Sequence, residues 1–250
     1  MEILGIDIGA SGIKGSIVDT LNGKLLHERH RIPTPSPATP HQVAQTIREL
    51  VDHFGWRGLI GCGFPGVVQQ GIARTAANVD KHWINTNIEL LFGDATGLPV
   101  KAVNDADAAG LAECIFGAGH GRKGALLLLT VGTGIGSAFL MDGQLFPNTE
   151  LGHLKFKGGP AEQYASDAAR KREDLPWRDW AKRFNEYLNY VYSLFYPEIF
   201  IIGGGTSKKF DKFIEFIEVP CPVIPAELEN SAGIVGAALA ARALAHPGVE

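Results

Sequence analysis

The chain has 250 residues, 45% hydrophobic and 20% charged, with a formal net charge of −4 and a sequence pI of about 6.1. That is ordinary globular material, enough for one large or two modest domains with a substantial core. It argues against a dedicated nucleic-acid binder, whose footprint is net basic, and no apolar run reaches the length of a membrane span.

The opening MEILGIDIGA is acidic and runs directly into a strand, unlike a secretory signal. Residues 2–8 and 13–19 read as the two strands of a hairpin about Gly9 and Gly12. Asn22-Gly23 is a turn signal leading to a third strand. PTPSPATP then reads as an extended connector into a helix over 40–54, with Val43, Ala44, Ile47, Leu50 and Val51 on one face. RGLIGCGFPG is a strand ending in a Gly/Pro loop. A helix follows over 86–96, then the strand LPVKAVND, then the helix ADAAGLAECIFGAG.

The second half restarts the pattern. LLLLT, GSAFLMDG and QLF read as hairpin strands, and a long helix spans 177–195. Its stripe of Trp177, Trp180, Phe184, Leu188, Val191 and Phe195 reads as core. Pro197 ends that helix, EIFIIGGG is a buried strand, and TSKKFDKFIEF opens a further helix. PCPVIPAEL is a short strand, and NSAGIVGAALAARALA a closing helix. Two α/β halves with one opening motif imply a duplicated architecture with a cleft between them, where small-molecule sites usually sit. The three cysteines, Cys62, Cys114 and Cys221, are scattered without a pairing pattern and read as buried small residues in a reducing compartment.

Two Gly-rich turns carry the chemistry. IDIGASGIKGSIVD and LLLLTVGTGIGSAFL each run a strand into glycines and back into a strand. Glycine lets the backbone approach an anion closely and adopt positive φ, so that successive N–H groups form a nest. The first turn adds Ser11 and Lys14, the second Thr130 and Thr133. Asp7 cannot bind an anion itself, but beside a phosphate nest it can hold Mg²⁺, directly or through water. A third glycine run, Gly203-Gly204-Gly205, lies where a strand meets a helix. Either turn alone is equally readable as an empty hairpin; three in one chain favour a phosphate-transfer site.

Asn104 and Asp105 end an apolar strand and open a helix. Asp105 is readable as a helix cap, or as a general base taking a proton from an attacking hydroxyl. Glu150 and His153 are three residues apart and read as a clamp for vicinal sugar hydroxyls or as a plain surface pair.

Taken in order, these segments resemble the ROK family of sugar kinases over essentially the whole chain. DIGASGIKG is similar to the family's first phosphate motif, GFPG to its sugar-side loop, NDADAAGLAE to its catalytic Asn-Asp segment, TVGTGIGSAFL to its second phosphate motif, ELGH to its sugar-binding signature and IIGGGTSK to its nucleotide-side turn. The resemblance implies an α/β fold of two actin-like (ribonuclease H-like) domains with a central inter-domain cleft. The domains would be 1–107 with a closing helix at about 235–250, and 108–234. It implies Asp105 as base, Asn104, Glu150 and His153 as sugar ligands, and Gly66, Asn78 and Glu162 lining the sugar side. The phosphate path would be Asp7, Gly9, Ser11, Gly12 and Lys14, with Thr130, Gly132, Thr133, Gly134, Gly204 and Gly205.

Many ROK kinases follow ELGH with a cysteine-rich zinc segment. This chain continues as LKFKGGPAEQYASDAARKRE, with no cysteine, so Mg²⁺ and no zinc is the expectation. The zinc-less form resembles the polyphosphate glucokinase and glucomannokinase branch, which implies transfer from inorganic polyphosphate, with ATP as a second donor, to the 6-hydroxyl of glucose, with mannose as a second sugar. The alternative is a strictly ATP-dependent ROK glucokinase or mannokinase. A cytoplasmic homodimer without nucleic-acid or membrane partners is implied. Lys155, Lys157, Arg122, Lys123, Lys208 and Lys209 are candidates for a polymer track. A repressor of the same family would begin with a helix-turn-helix, whereas this chain opens on the first strand and keeps Asp105.

Overall fold

The computed structural model of the protein describes residues 1–76 and 79–245. Asn78, expected on the sugar side, lies outside the described residues. The chain divides into two compact units: Met1–Ala112 together with the segment from Ser231 onward, and Glu113–Asn230.

In the first unit β1 (Glu2–Ile8) and β2 (Ile13–Asp19) pair antiparallel from Glu2↔Asp19 to Ile8↔Ile13. Their β-branched side chains are buried on both faces, as a covered strand requires. Two short strands follow where the sequence suggested one: β3 (Lys24–Leu25) and β4 (His30–Ile32), both on β2. The register slips by two residues between them, because the Ser16 hydroxyl takes the His27 carbonyl at 2.8 Å and the ladder breaks there. Helix α1 (Pro40–His53) starts with Pro40 behind Thr39, whose hydroxyl accepts from the Gln42 N–H, and buries the expected stripe.

Next come β5 (Ile60–Phe64), an unforeseen small hairpin of β6 (Val68–Gln69) and β7 (Ile72–Ala73), and α2 (Ile88–Thr96). Asn87 caps α2, and Gly97 closes it at φ 72°. β8 (Val100–Asn104) leads into α3 (Asp105–Phe116). The sheet order is β3-β2-β1-β5-β8, with β4 also on β2 and with β1, β5 and β8 parallel.

The second unit has β9 (Ala125–Val131), β10 (Ile135–Met141) and β11 (Gln144–Phe146) as an antiparallel meander. Short β12 (Lys155–Phe156) and β13 (Gly159–Pro160) pair together, followed by α4 (Glu162–Ala165), α5 (Asp167–Arg172) and the long α6 (Trp177–Phe195). β14 (Ile199–Gly203) and β15 (Val223–Pro225) complete the sheet β11-β10-β9-β14-β15. An antiparallel meander feeding parallel strands is the order in both units, which is the duplication inferred from the sequence.

Helix α6 buries Trp180, Phe184, Leu188 and Val191, joined by Tyr187. Trp177 is only half-buried, and Phe195 is 37% exposed, because the ends of the helix run past the core. TSKKFDKFIEF does not form an α-helix. It makes two 3₁₀ segments, Gly205–Lys212 and Ile214–Phe216, with a kink at Lys209. Phe210, Phe213 and Phe216 recur every third residue, a spacing that eclipses in a 3₁₀ turn, and all three pack on the core of the second unit.

The chain then returns to the first unit as α7 (Ala232–Ala241). Its small residues let it press onto sheet backbone. A methyl group on Gly5 or Gly61 would overlap the carbonyls of Ile234 and Ala237, and one on Gly236 the carbonyl of Ala108. Among the described residues no helix is long and apolar enough to cross a membrane.

Candidate active site

The first Gly-rich turn closes on a Gly9 N–H to Gly12 carbonyl bond of 3.2 Å. Asp7 and Lys14 face each other in the β1–β2 ladder, and Lys14 Nζ lies 3.4 Å from Asp7 Oδ2. Gly233, in the first turn of α7, lies against the Asp7 carboxylate: a methyl there would be 3.1 Å from its Cγ. Asp7 therefore sits at the positive end of a helix dipole. Neither Gly9 nor Gly12 has positive φ, contrary to the reading of the turn as a run of left-handed glycines. Space is the reason at Gly12, where a side chain would collide with the Arg31 guanidinium.

Asn104 and Asp105 both bond the start of α3, and Asp105 Oδ1 accepts from the Ala106 N–H at 2.8 Å. Asn104 Oδ1 accepts from the N–H groups of Ala106 (2.8 Å) and Asp107 (3.0 Å), so the cap of α3 is Asn104. Its amide donates to the Gly66 carbonyl at 3.1 Å, tying the GFPG loop to the end of β8. Asp105 is the first helical residue and is half-buried. Asp7 pairs with Gly63 and Gly63 with Val103. Asp7 and Asp105 thus leave the same sheet edge from strands about 10 Å apart. Gly63 lies between them, where a side chain would lie against the Asp105 backbone. The carboxyl end of parallel strands is where α/β sheets bind ligands.

In the second unit the ELGH segment forms a 3₁₀ turn, Leu151–His153, with Glu150 at its start. Two residues that the sequence reading missed bolt it to β10. Ser137 Oγ accepts from the Leu151 N–H at 3.0 Å and donates to the Thr149 carbonyl at 2.7 Å, while Thr149 Oγ1 donates to the Ser137 carbonyl at 3.0 Å. Gly152 is required because any side chain would strike the Ile135 carbonyl.

Glu150, His153 and Glu162 come together here. His153 Nδ1 is 3.4 Å from Glu150 Oε2, and its Nε2 is 3.8 Å from Glu162 Oε1. Glu162 also accepts from the Ile135 N–H at 3.1 Å. Burial pushes the Glu150 carboxyl above the usual range; His153 opposes the shift and Glu162 adds to it. The buried Tyr187 phenol is pushed up by burial and then by Glu162, and its hydroxyl has no hydrogen-bond partner.

The second turn closes on Gly132 N–H to Gly134 carbonyl at 3.0 Å, with Thr130 half-buried and Thr133 exposed beside it. Gly204 has φ 75° and lies against the Val131 backbone, while Gly205 is open. Of the basic candidates for a polymer track, Lys157 is held by Glu186 at 2.7 Å and Lys208 by Glu229 at 3.6 Å. Arg122 donates to the Ala118 carbonyl at 3.0 Å, and Lys123, Lys155 and Lys209 are exposed.

Among the described residues no group of three or more His, Cys, Asp and Glu side chains is arranged to hold a metal. Mg²⁺ in phosphoryl transfer needs less, one or two carboxylates with the donor's own oxygens. Asp7, a carboxylate at a strand end beside a Gly-rich turn, fits that requirement.

Comparisons with known proteins show the family and the fold. The model of the ROK family matches residues 3–174. The polyphosphate glucokinase of Mycobacterium tuberculosis is 51% identical over 237 residues, covering 94% of this chain and 89% of that protein. The inorganic polyphosphate/ATP-glucomannokinase from Arthrobacter sp. strain KM superposes with a TM-score of 0.93 at 50% identity, over 98% of this chain and 99% of that one. A ROK family glucokinase from Streptomyces griseus, solved with glucose and AMPPNP, gives a TM-score of 0.83 at 26% identity, over 97% and 99%. The fold is the α/β fold of the ROK sugar kinases, with two actin-like domains, and the chain belongs to the ROK family.

Proposed function

We propose that this protein is a sugar kinase that transfers the terminal phosphoryl group of inorganic polyphosphate, with ATP as a second donor, to the 6-hydroxyl of glucose. The observation that carries the reading is Asp105. Its carboxylate accepts from the Ala106 N–H at 2.8 Å, Asn104 caps α3 beside it, and Asp105 stands at the same sheet edge as Asp7 and the Gly9–Gly12 turn. The half-identical polyphosphate glucokinase supports the choice of donor.

Asp105 accepts the proton of the 6-hydroxyl as its oxygen forms a bond to the terminal phosphorus. The bridging P–O bond breaks and its electron pair stays on the shortened polyphosphate. Such transfer depends on positioning and charge stabilisation more than on a strong base, so an ordinary carboxylate suffices. Glu150 and His153, with Glu162 behind them, hold sugar hydroxyls. Asn104, Gly66 and Asn78 complete the sugar side, Asn104 chiefly by fixing the loop that carries Gly66. The backbone and side chains of Gly9, Ser11, Gly12 and Lys14, then Thr130, Gly132, Thr133, Gly134, Gly204 and Gly205, serve the donor. Mg²⁺ held by Asp7 would offset charge on the transferring group. Mannose is a second acceptor on the pattern of the glucomannokinase named above. The reading places a zinc-free homodimer in the cytoplasm. All three cysteines are unpaired, and burial pushes each thiol up, which suits a reducing compartment.

The test is the initial rate of glucose 6-phosphate formation with Mg²⁺, comparing long-chain polyphosphate with ATP at matched phosphate. Turnover favouring polyphosphate is expected. Turnover with ATP alone would make the protein an ATP-dependent sugar kinase, and none with either donor on glucose or mannose would overturn the reading.

A further inference from the structure

We propose that Arg31 and Thr34, on the strand and connector behind the first phosphate turn, are positioning residues that aim the turn's N–H donors at the phosphoryl donor. The inference rests on the phosphate-binding role of Gly9–Gly12 proposed above and names what makes that turn an anion site.

Thr34 Oγ1 donates to the Gly9 carbonyl at 2.6 Å, and the Arg31 guanidinium donates to the Ser11 carbonyl at 2.5 Å. Alternate carbonyls of the turn are thus held from one side. In a trans peptide the N–H points opposite to the carbonyl of the same unit, and the only cis bond in the described residues is Ser36-Pro37. Fixing the Gly9 and Ser11 carbonyls therefore turns the N–H groups of Ala10 and Gly12 the other way, as two donors on one side of the turn. Converging backbone donors of this kind make an anion nest. The turn does not reach that arrangement through left-handed glycines, since none of its residues has positive φ. The orientation has to come from outside the turn, and the segment 31–34 supplies it.

Arg31 gains no obvious stability from its place. It lies directly opposite Lys14 in the β4–β2 ladder, and like charges opposed across strands are unfavourable. Asp7 offsets Lys14 from the other side of β2, leaving a surplus positive charge behind the Ser11–Gly12 peptide. A cation on a carbonyl polarises that peptide and strengthens the opposite N–H as a donor. Gly12 is the residue that admits the guanidinium, since any side chain would displace it. The sequence showed Thr34 only as part of a Pro-rich connector.

The experiment compares the wild-type protein with Thr34→Val, Thr34→Ser, Arg31→Ala and Arg31→Lys. Two readouts are used: binding of inorganic tripolyphosphate by calorimetry, and the KM values for polyphosphate and glucose. Thr34→Val should weaken tripolyphosphate about fivefold and Arg31→Ala about tenfold, the range for losing a neutral and a charged hydrogen bond. The polyphosphate KM should rise in parallel with the glucose KM unchanged. Serine at 34 and lysine at 31 should restore most of the loss. The Tm without ligand should stay level, or rise for Arg31→Ala as the opposed charges part. If Thr34→Val and Arg31→Ala bind tripolyphosphate like the wild type, the inference fails while the phosphate site stands. If Arg31→Ala loses binding but Thr34→Val does not, Arg31 acts through its charge and the positioning role is overturned. If the wild type itself does not bind tripolyphosphate, it is the function proposed for the turn that falls.

Discussion

Gly134 and Glu162 occupy one space: a methyl group on Gly134 would overlap the Glu162 carboxylate that accepts from the Ile135 N–H at 3.1 Å. The obstructing atom is the end of a flexible side chain, so Gly134→Ala should push Glu162 aside rather than disturb the fold. We expect the glucose KM to rise about tenfold, the scale of one charged hydrogen bond. Tm should move by less than about 4 °C, roughly what 1 kcal/mol does in a chain of this size. A large fall in Tm with an unchanged KM would contradict the coupling.

Glu150 carries an electrostatic cost in the folded state. Its carboxyl is raised by burial above its unfolded value, so its ionised form is disfavoured in the folded state. Its contribution to stability is complete below the unfolded pKa and is lost as pH rises through the folded one. Glu150→Gln should therefore raise Tm at neutral pH. The gain should shrink as the solution is acidified below the glutamate range. Glucose affinity should fall in the same variant. Calorimetric scans across pH, with a glucose titration, check both; a lower Tm at neutral pH would refute the assignment.

Asp105→Asn should keep the start of α3, because Asn104 supplies the cap. Turnover should drop roughly 100- to 10,000-fold, the usual worth of general base catalysis, with glucose binding by calorimetry little changed. Near-normal turnover would remove Asp105 as the base.

Tyr187→Phe removes a buried hydroxyl that has no hydrogen-bond partner. Leaving such a group unsatisfied costs about 1 kcal/mol or more, so the variant should melt about 2–4 °C higher. A lower Tm would show that the hydroxyl is bonded in solution.

Gly61→Ala tests the seat of α7. The new methyl would overlap the Ala237 carbonyl, which is backbone and has nowhere to go. The loss should approach about 3 kcal/mol, the upper part of the overpacking range, seen as an earlier denaturant midpoint. An unchanged midpoint would mean that α7 is free to shift.

Much of this protein was legible in one dimension. Alternating and continuous apolar runs set off β1, β2, β8, β9 and β14, and the period of α1 and α6 gave their buried faces, because burial leaves a repeating mark on the sequence. Order-specific motifs identified the ROK family. Shape and chemistry between distant segments left no such mark. That Asn104 takes the N–H groups of both Ala106 and Asp107 depends on which polar groups meet at the end of β8. That Gly12 and Gly134 make room for Arg31 and Glu162 depends on side chains 19 and 28 residues away. The Ser137–Thr149 bolt, the clasp of Arg31 and Thr34 on the first turn, and the 3₁₀ course of residues 205–216 arise for the same reason. A local pattern records how a residue faces the core, whereas a partner brought up by the tertiary fold decides what its polar atoms do.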